Sequence, residues 1–261
     1  MKYLLASVLV AIPALAAAQT PAAPADTLAH VMQSHTLRVC SPGDYKPFSF
    51  MEKDGHFEGL DVDMMNSLAK SLDAKVAFVK TTWSKLMDDF TSGKCDVGAG
   101  GISVSLARQQ RAYFSAPYMI NGKTPITLCA NAKKYQTIAD IDKPSVRVIV
   151  NPGGSNEKFA RDHLSKAHII LYKNNIGIFN EIAQGRADVF VTEAAEAEVQ
   201  SKLNPKLCAV NPNKPLQYAE MGYLLPNGDT RFKLYVDQWL HLAKADGEYA
   251  RIAGKWIPQG K

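Results

Sequence analysis

The sequence predicts an α/β protein of two βαβ lobes with largely parallel sheets, and two internal echoes carry that prediction. The run Phe90-Thr-Ser-Gly93-Lys94-Cys-Asp96-Val97 is echoed by Ile182-Ala-Gln-Gly185-Arg186-Ala-Asp188-Val189. Each reads as a helix end, a glycine cap and the start of a buried strand. Upstream, Val39-Cys-Ser-Pro42-Gly43 is echoed by Ile149-Val-Asn-Pro152-Gly153, and both read as a strand running into a Pro-Gly turn.

Taken in order, Met1 and Lys2 precede an apolar run and then Ala16-Ala17-Ala18, the order of a cleaved secretory signal over residues 1–18. That run is shorter than the ~20 residues a membrane-spanning helix needs, and no later segment competes with it, so no membrane insertion is expected after cleavage. An Ala- and Pro-rich leader fills 19–28. The first lobe is predicted from strands 36–40, 75–79 and 96–99 with helices 60–72 and 83–91. The second holds strands 147–150, 169–172 and 187–191 with helices 156–165 and 176–184. A strand over 218–225 returns to the first lobe, and an amphipathic helix over 230–246 packs against it. The chain therefore crosses near 122–127 and again near 211–216, which puts 29–124 and 217–261 in lobe 1 and 125–216 in lobe 2. Two crossings make a hinge, and a crevice between open α/β sheets is where such proteins bind ligands.

Charge and cysteine content narrow the partners. The formal net charge is +5, and loss of Lys2 with the signal leaves about +4, with no basic run, so nucleic acid is a poor bet as partner and a small anion fits better. The four cysteines match no metal motif, nor do the six histidines cluster, so no metal is expected. In an exported chain disulfides persist. Cys129 ends one strand-like run and Cys208 begins another, and these two are expected to pair. Cys40 and Cys95 fall at opposite ends of neighbouring strands and are expected to remain buried thiols, since a bridge needs Cα atoms about 6 Å apart.

Several residues carry chemistry suited to an anion. Arg108 follows the polar turn Gly101-Ile-Ser103-Val-Ser105, which places a forked guanidinium at the crevice mouth. In Asn151-Pro-Gly153-Gly154-Ser155-Asn156, a strand meets a glycine turn and a helix that Ser155 caps, presenting backbone N–H groups to an anion. Tyr45 and Trp83 stand at the crevice edge, where an aromatic can cover a flat ring; Trp83 packed under its own helix is an equally good reading. Lys123, at the first crossing, can hold a second carboxylate or simply be a solvated hinge residue. Thr192 is placed to cap a helix whose first turn carries Glu193 and Glu196, an arrangement that also suits a helix dipole with no catalytic role.

The segments Gly43-Asp-Tyr45-Lys-Pro47-Phe48, Gly59-Leu-Asp61-Val-Asp63 and Gly101-Ile-Ser-Val-Ser105-Leu-Ala-Arg108 resemble the signatures of amino-acid-binding periplasmic solute-binding proteins, over about residues 28–256. The resemblance implies a type II periplasmic-binding-protein-like fold with two Rossmann-like lobes, and an Arg108 that holds the ligand's α-carboxylate. In transport members the position of Glu193 is usually Asp and holds the α-amino group. Within this class the segments 121–129, 151–161 and 235–241, with Glu196, are similar to an enzyme branch, the cyclohexadienyl dehydratases, which convert prephenate to phenylpyruvate and L-arogenate to L-phenylalanine. That resemblance implies Glu196 as general acid, substrate contacts from Arg108, Lys123, Asn151, Ser155 and Asn156, a periplasmic location and no cofactor. Ser103 and Glu193 join the substrate set with Tyr45 and Trp83. The alternative is an amino-acid-binding component with an ABC transporter as partner. A general acid beside cations and a helix N-terminus needs burial, and a neighbouring Glu193, to keep its proton.

Overall fold

Residues 26–257 are described by the structure, a computed structural model; the signal segment and most of the leader lie outside them. The first sheet runs in the order Lys75–Lys80, Thr36–Ser41, Val97–Gly98, Leu224–Leu225, Tyr113–Phe114. Its first three strands are parallel, and Leu224–Leu225 is antiparallel to both neighbours. Alternation along Thr36–Ser41 sends Leu37 and Val39 into one core and Cys40 into another. The larger core takes Leu60, Met64, Met65 and Leu68 from helix Leu60–Ser71, and Phe232, Val236, Trp239 and Leu240 from helix Thr230–Ala245. Those spacings put each set on one helical face.

The second sheet runs His168–Leu171, Arg147–Val150, Val189–Glu193, Met119–Leu128, Leu207–Ala209, and Gln217–Met221 also pairs with Met119–Leu128. It is parallel on one side only. The long strand Met119–Leu128 meets three partners antiparallel, so the expectation of a largely parallel sheet fails at the half that carries the crossings. The predicted crossing at 122–127 lies within this strand. The predicted strand over 218–225 is split, with Gln217–Met221 on the second sheet and Leu224–Leu225 on the first.

The first of the two echoes has a physical cause. Arg38 gives its backbone N–H and guanidinium to Asp96, with Nη2 to Oδ1 at 2.6 Å, and a further N–H to the Gly93 carbonyl. Arg147 does the same with Asp188, at 2.8 Å, and with the Gly185 carbonyl. Each lobe thus clamps the turn before its third strand to the start of its first.

Among the segments that escaped the sequence reading, three bear on the core or the site. Helix Thr27–Ser34 begins inside the predicted leader and buries Leu28 and Val31. Helix Glu248–Trp256 covers the larger core with Ile252. A three-stranded sheet, Asp44–Tyr45, Ser49–Met51 and Phe57–Glu58, carries Tyr45. Its strands are too short for periodicity to show.

Cys129 and Cys208 are bonded, with Cα atoms 4.8 Å apart, as expected from their strands. Cys40 and Cys95 are bonded too, with Cα atoms 5.6 Å apart, which overturns the expectation of thiols. The third strand is only Val97–Gly98, pairing Gly98 with Cys40. Cys95 therefore precedes the strand in a turn and folds over the sheet face, instead of extending away along it.

Candidate active site

The carboxyl end of the second sheet meets the glycine turns of the first around a buried polar cluster. Lys123 and Glu193 face one another across adjacent antiparallel strands, which brings Nζ to 2.8 Å from Oε1. Both are almost fully buried, at 3% and 1% exposure. The ammonium also donates to Asn156 Oδ1 at 2.6 Å and Ser155 Oγ at 2.9 Å. Lys123 is therefore no solvated hinge residue. From the glycine turn that follows strand Val97–Gly98, Ser103 donates to Glu193 Oε1 at 2.8 Å and lies 3.2 Å from Ser155 Oγ.

Two predicted caps are corrected. Helix Ser155–His163 takes Gly154 as its N-cap, so Ser155 is its first residue and its hydroxyl is free to meet Lys123 and Ser103. Strand Val189–Glu193 runs further than expected, so Glu193 is the N-cap of helix Ala194–Leu203 and Thr192 caps nothing. Thr192 Oγ1 instead donates to Glu196 Oε2 at 2.5 Å and accepts from Asn156 Nδ2 at 3.2 Å. The glycine turn also differs from its anion-binding expectation. The Gly153 N–H is taken by Glu157 at 2.7 Å, and a Cβ on Gly153 would stand 2.5 Å from Ser84 Cα. Gly153 lets the two lobes touch.

Burial, foremost, holds the Glu196 carboxyl well above the usual carboxylate range. The Thr192 hydrogen bond opposes the shift, the nearby Asp44 and Glu193 carboxylates add to it, and Lys123 opposes it. The burial and the neighbouring Glu193 that such an acid needs to keep its proton are both present in this cluster. Arg108 donates to the Ser103 carbonyl at 2.8 Å and lines a cavity of about 310 Å³ with Ser103, Lys123, Ser155 and Glu193. Burial lowers its pKa while Glu193 opposes this; a guanidinium stays cationic regardless.

Tyr45, Trp83, Asn151 and Asn156 gather on the other side, around a cavity of about 10 Å³, room for about one water. Tyr45 meets Trp83 edge-on at 5.6 Å. Asn151 is buried with no partner for Oδ1. All the predicted site residues thus line one region, with Glu196 joined to it through Thr192 and Asn156.

Three contributors were missed. Asp44 accepts from Trp83 Nε1 at 2.9 Å, and burial pushes its carboxyl up to about 6. It sits beside Tyr45 in a motif already singled out, so adjacency was the available signal. Thr192 was read only as a cap. Asn175 donates to the Asp44 carbonyl at 3.0 Å across the crevice, and as a single Asn just ahead of a predicted helix it carried no signal. Among the described residues no cluster suited to a metal ion occurs, and no helix is long and apolar enough to cross a membrane.

Residues 37–259 match the bacterial extracellular solute-binding proteins, family 3. The chain is 48% identical over 244 residues to a cyclohexadienyl dehydratase of Pseudomonas aeruginosa, covering 94% of this chain and 91% of that one. It is 28% identical to a putative amino-acid ABC transporter-binding protein, PatH, of Vibrio harveyi, over 90% of this chain and 94% of that one. Among solved structures, an ancestral amino acid-binding protein described as a precursor of cyclohexadienyl dehydratase superposes with a TM-score of 0.83 at 36% identity, covering 89% and 100% of the two chains. An ancestral cyclohexadienyl dehydratase is 49% identical, with a TM-score of 0.56 and coverage of 91% and 98%.

Proposed function

We propose, for a chain that belongs to the bacterial extracellular solute-binding proteins of family 3, that it is an exported, periplasmic cyclohexadienyl dehydratase. Its substrates are prephenate and L-arogenate, and its products phenylpyruvate and L-phenylalanine. The observation that carries this reading is Glu196, a carboxyl buried to 1% exposure and biased toward its protonated form. Thr192 and Asn156 join it to Lys123 and to a polar cluster that suits a dicarboxylate. A transport protein has no use for a proton held there, and the 48% identity to a dehydratase points the same way.

The residues divide the work. Arg108 holds the side-chain carboxylate through its guanidinium fork. Lys123, Asn151, Ser155 and Asn156 hold the rest of the polar substrate with Ser103 and Glu193, and Tyr45 and Trp83 wall the ring. Glu196 gives its proton to the ring hydroxyl, the C–O bond breaks and water leaves. The ring carboxylate departs as carbon dioxide, and its C–C bonding pair passes into the ring, which becomes aromatic. Glu196, left ionised in a buried site, regains a proton from solvent. Protonation and aromatisation need no metal or organic cofactor. The lobes we assign, 29–124 with 217–261 and 125–216, exclude water when they close on the substrate.

Purified protein is mixed with prephenate at neutral pH, and phenylpyruvate is followed by its absorbance in alkali. Turnover is expected in the wild type, and Glu196→Gln is expected to lose about 10²–10⁴-fold, the scale of general-acid catalysis. If neither prephenate nor arogenate turns over, and an amino acid raises the melting temperature, the protein serves transport instead.

A further inference from the structure

Asp61 lies outside the substrate cluster and is buried to 1% exposure. One of its carboxylate oxygens, Oδ2, accepts three hydrogen bonds: from Gly100 N at 2.8 Å, Gly101 N at 2.7 Å and the Tyr118 hydroxyl at 2.9 Å. Its other oxygen is buried without a partner. Such concentration on one oxygen is more than a helix N-terminus needs, although Asp61 stands in the first turn of helix Leu60–Ser71. The helix is anchored in turn to the Tyr45 hairpin, because Leu60 N and Asp61 N donate to the carbonyls of Pro47 and Phe48.

The turn that Asp61 holds is one only glycine allows. Gly100 and Gly101 have φ of 124° and 76°. A Cβ on Gly101 would lie 2.4 Å from the Tyr45 ring, so the ring rests directly on the bare backbone there. Two residues later, Ser103 donates to Glu193 and its carbonyl accepts from Arg108. Tyr118, the third donor, stands immediately before the crossing strand Met119–Leu128 that carries Lys123. One carboxylate oxygen thus ties the seat of Tyr45, the backbone that aims Ser103 and Arg108, and the foot of the crossing strand to a single helix end.

We infer that Asp61 is a positioning residue for the substrate site, setting Tyr45, Ser103 and Arg108 through the Gly100–Gly101 turn without touching substrate itself. This rests on the dehydratase reading for its kinetic form. Asp61→Ala removes the acceptor and frees the turn, so KM for prephenate rises at least tenfold while kcat changes less than threefold, because Glu196 sits on helix Ala194–Leu203, which follows a strand of the other sheet. Asp61→Asn keeps an amide oxygen for the same donors and stays within about threefold of wild-type KM. Tyr118→Phe, which deletes one donor of three, gives a smaller rise of about two- to fivefold.

The test is steady-state kinetics on the three variants and the wild type, normalised to the folded fraction measured by circular dichroism. A merely structural Asp61 would lower the folded fraction and leave KM alone; an unchanged KM in Asp61→Ala overturns the inference. If Asp61→Ala does not fold, Tyr118→Phe decides in the same way. If the wild type itself turns over no prephenate, the dehydratase reading fails separately, and hydrogen exchange carries the test. Asp61→Ala, or Tyr118→Phe in its place, must then speed exchange across 100–103 and also at 45–48. Faster exchange at the turn with none at 45–48 refutes the positioning of Tyr45 and with it the inference.

Discussion

Glu196 and Asp44 are carboxyls whose burial raises their pKa, and each puts a sign on a pH profile. A general acid acts in its protonated form, so kcat falls as pH rises through the raised pKa of Glu196. The Thr192 hydroxyl donates to the carboxylate and favours ionisation. Thr192→Val therefore shifts the alkaline limb of the pH–kcat profile to higher pH, and a limb that moved to lower pH would contradict this role. Asp44 has an ordinary value of 3.8 and is pushed to about 6, a difference worth on the order of 3 kcal/mol. Its raised folded pKa means that stability is fully present below about pH 4 and is lost as pH rises through about 6. Asp44→Asn, which keeps an acceptor for Trp83, is expected to match wild type at pH 4 and exceed it by up to ~3 kcal/mol at pH 8, as urea denaturation at both pH values will show. At this scale the sequence was legible where charge and adjacency spoke. Arg108, Lys123 and Glu196 are polar residues beside crevice-forming turns, whereas the pairing of Lys123 with Glu193 needed the strand register.

At the scale of elements, the glycine turn and the two cross-links are the features most open to test. Gly153 has φ of 83°, and a Cβ there would meet the Ser84 backbone. Gly153→Ala is expected to raise KM at least tenfold with a smaller effect on kcat, because the lobes cannot approach; equal loss in both constants would place the defect in the chemistry. The bond Cys129–Cys208 closes a separation of 79 residues, and its removal by Cys208→Ser is expected to cost about 4 kcal/mol in denaturant unfolding. The strands and helices with clean periodicity were readable to within a few residues, as strand Arg147–Val150 and helix Thr230–Ala245 illustrate. The caps were not. Whether Ser155 or Gly154 begins a helix depends on a hydroxyl that finds a better partner in Lys123.

For the whole molecule, the lobes are held together across the crevice by a few polar contacts, among them Ser103 with Glu193 and Ser155, and Asn175 with the Asp44 carbonyl. Each is worth on the order of 1 kcal/mol. Ser103→Ala with Asn175→Ala is expected to favour the open form, measured as a larger radius of gyration in small-angle scattering; an unchanged radius would mean that the crossing strands alone set the lobe angle. The two-lobed plan and the family's signatures were written along the chain, because repeated motifs and hydrophobic period are local properties that each segment carries by itself. Tertiary structure decided what is not local. It joined Cys40 to Cys95 by folding a turn over a sheet face, set Lys123 opposite Glu193 through antiparallel register, and buried Glu196 where its proton is favoured. Register, burial and the approach of distant turns depend on how lobes pack, and no run of residues states them alone.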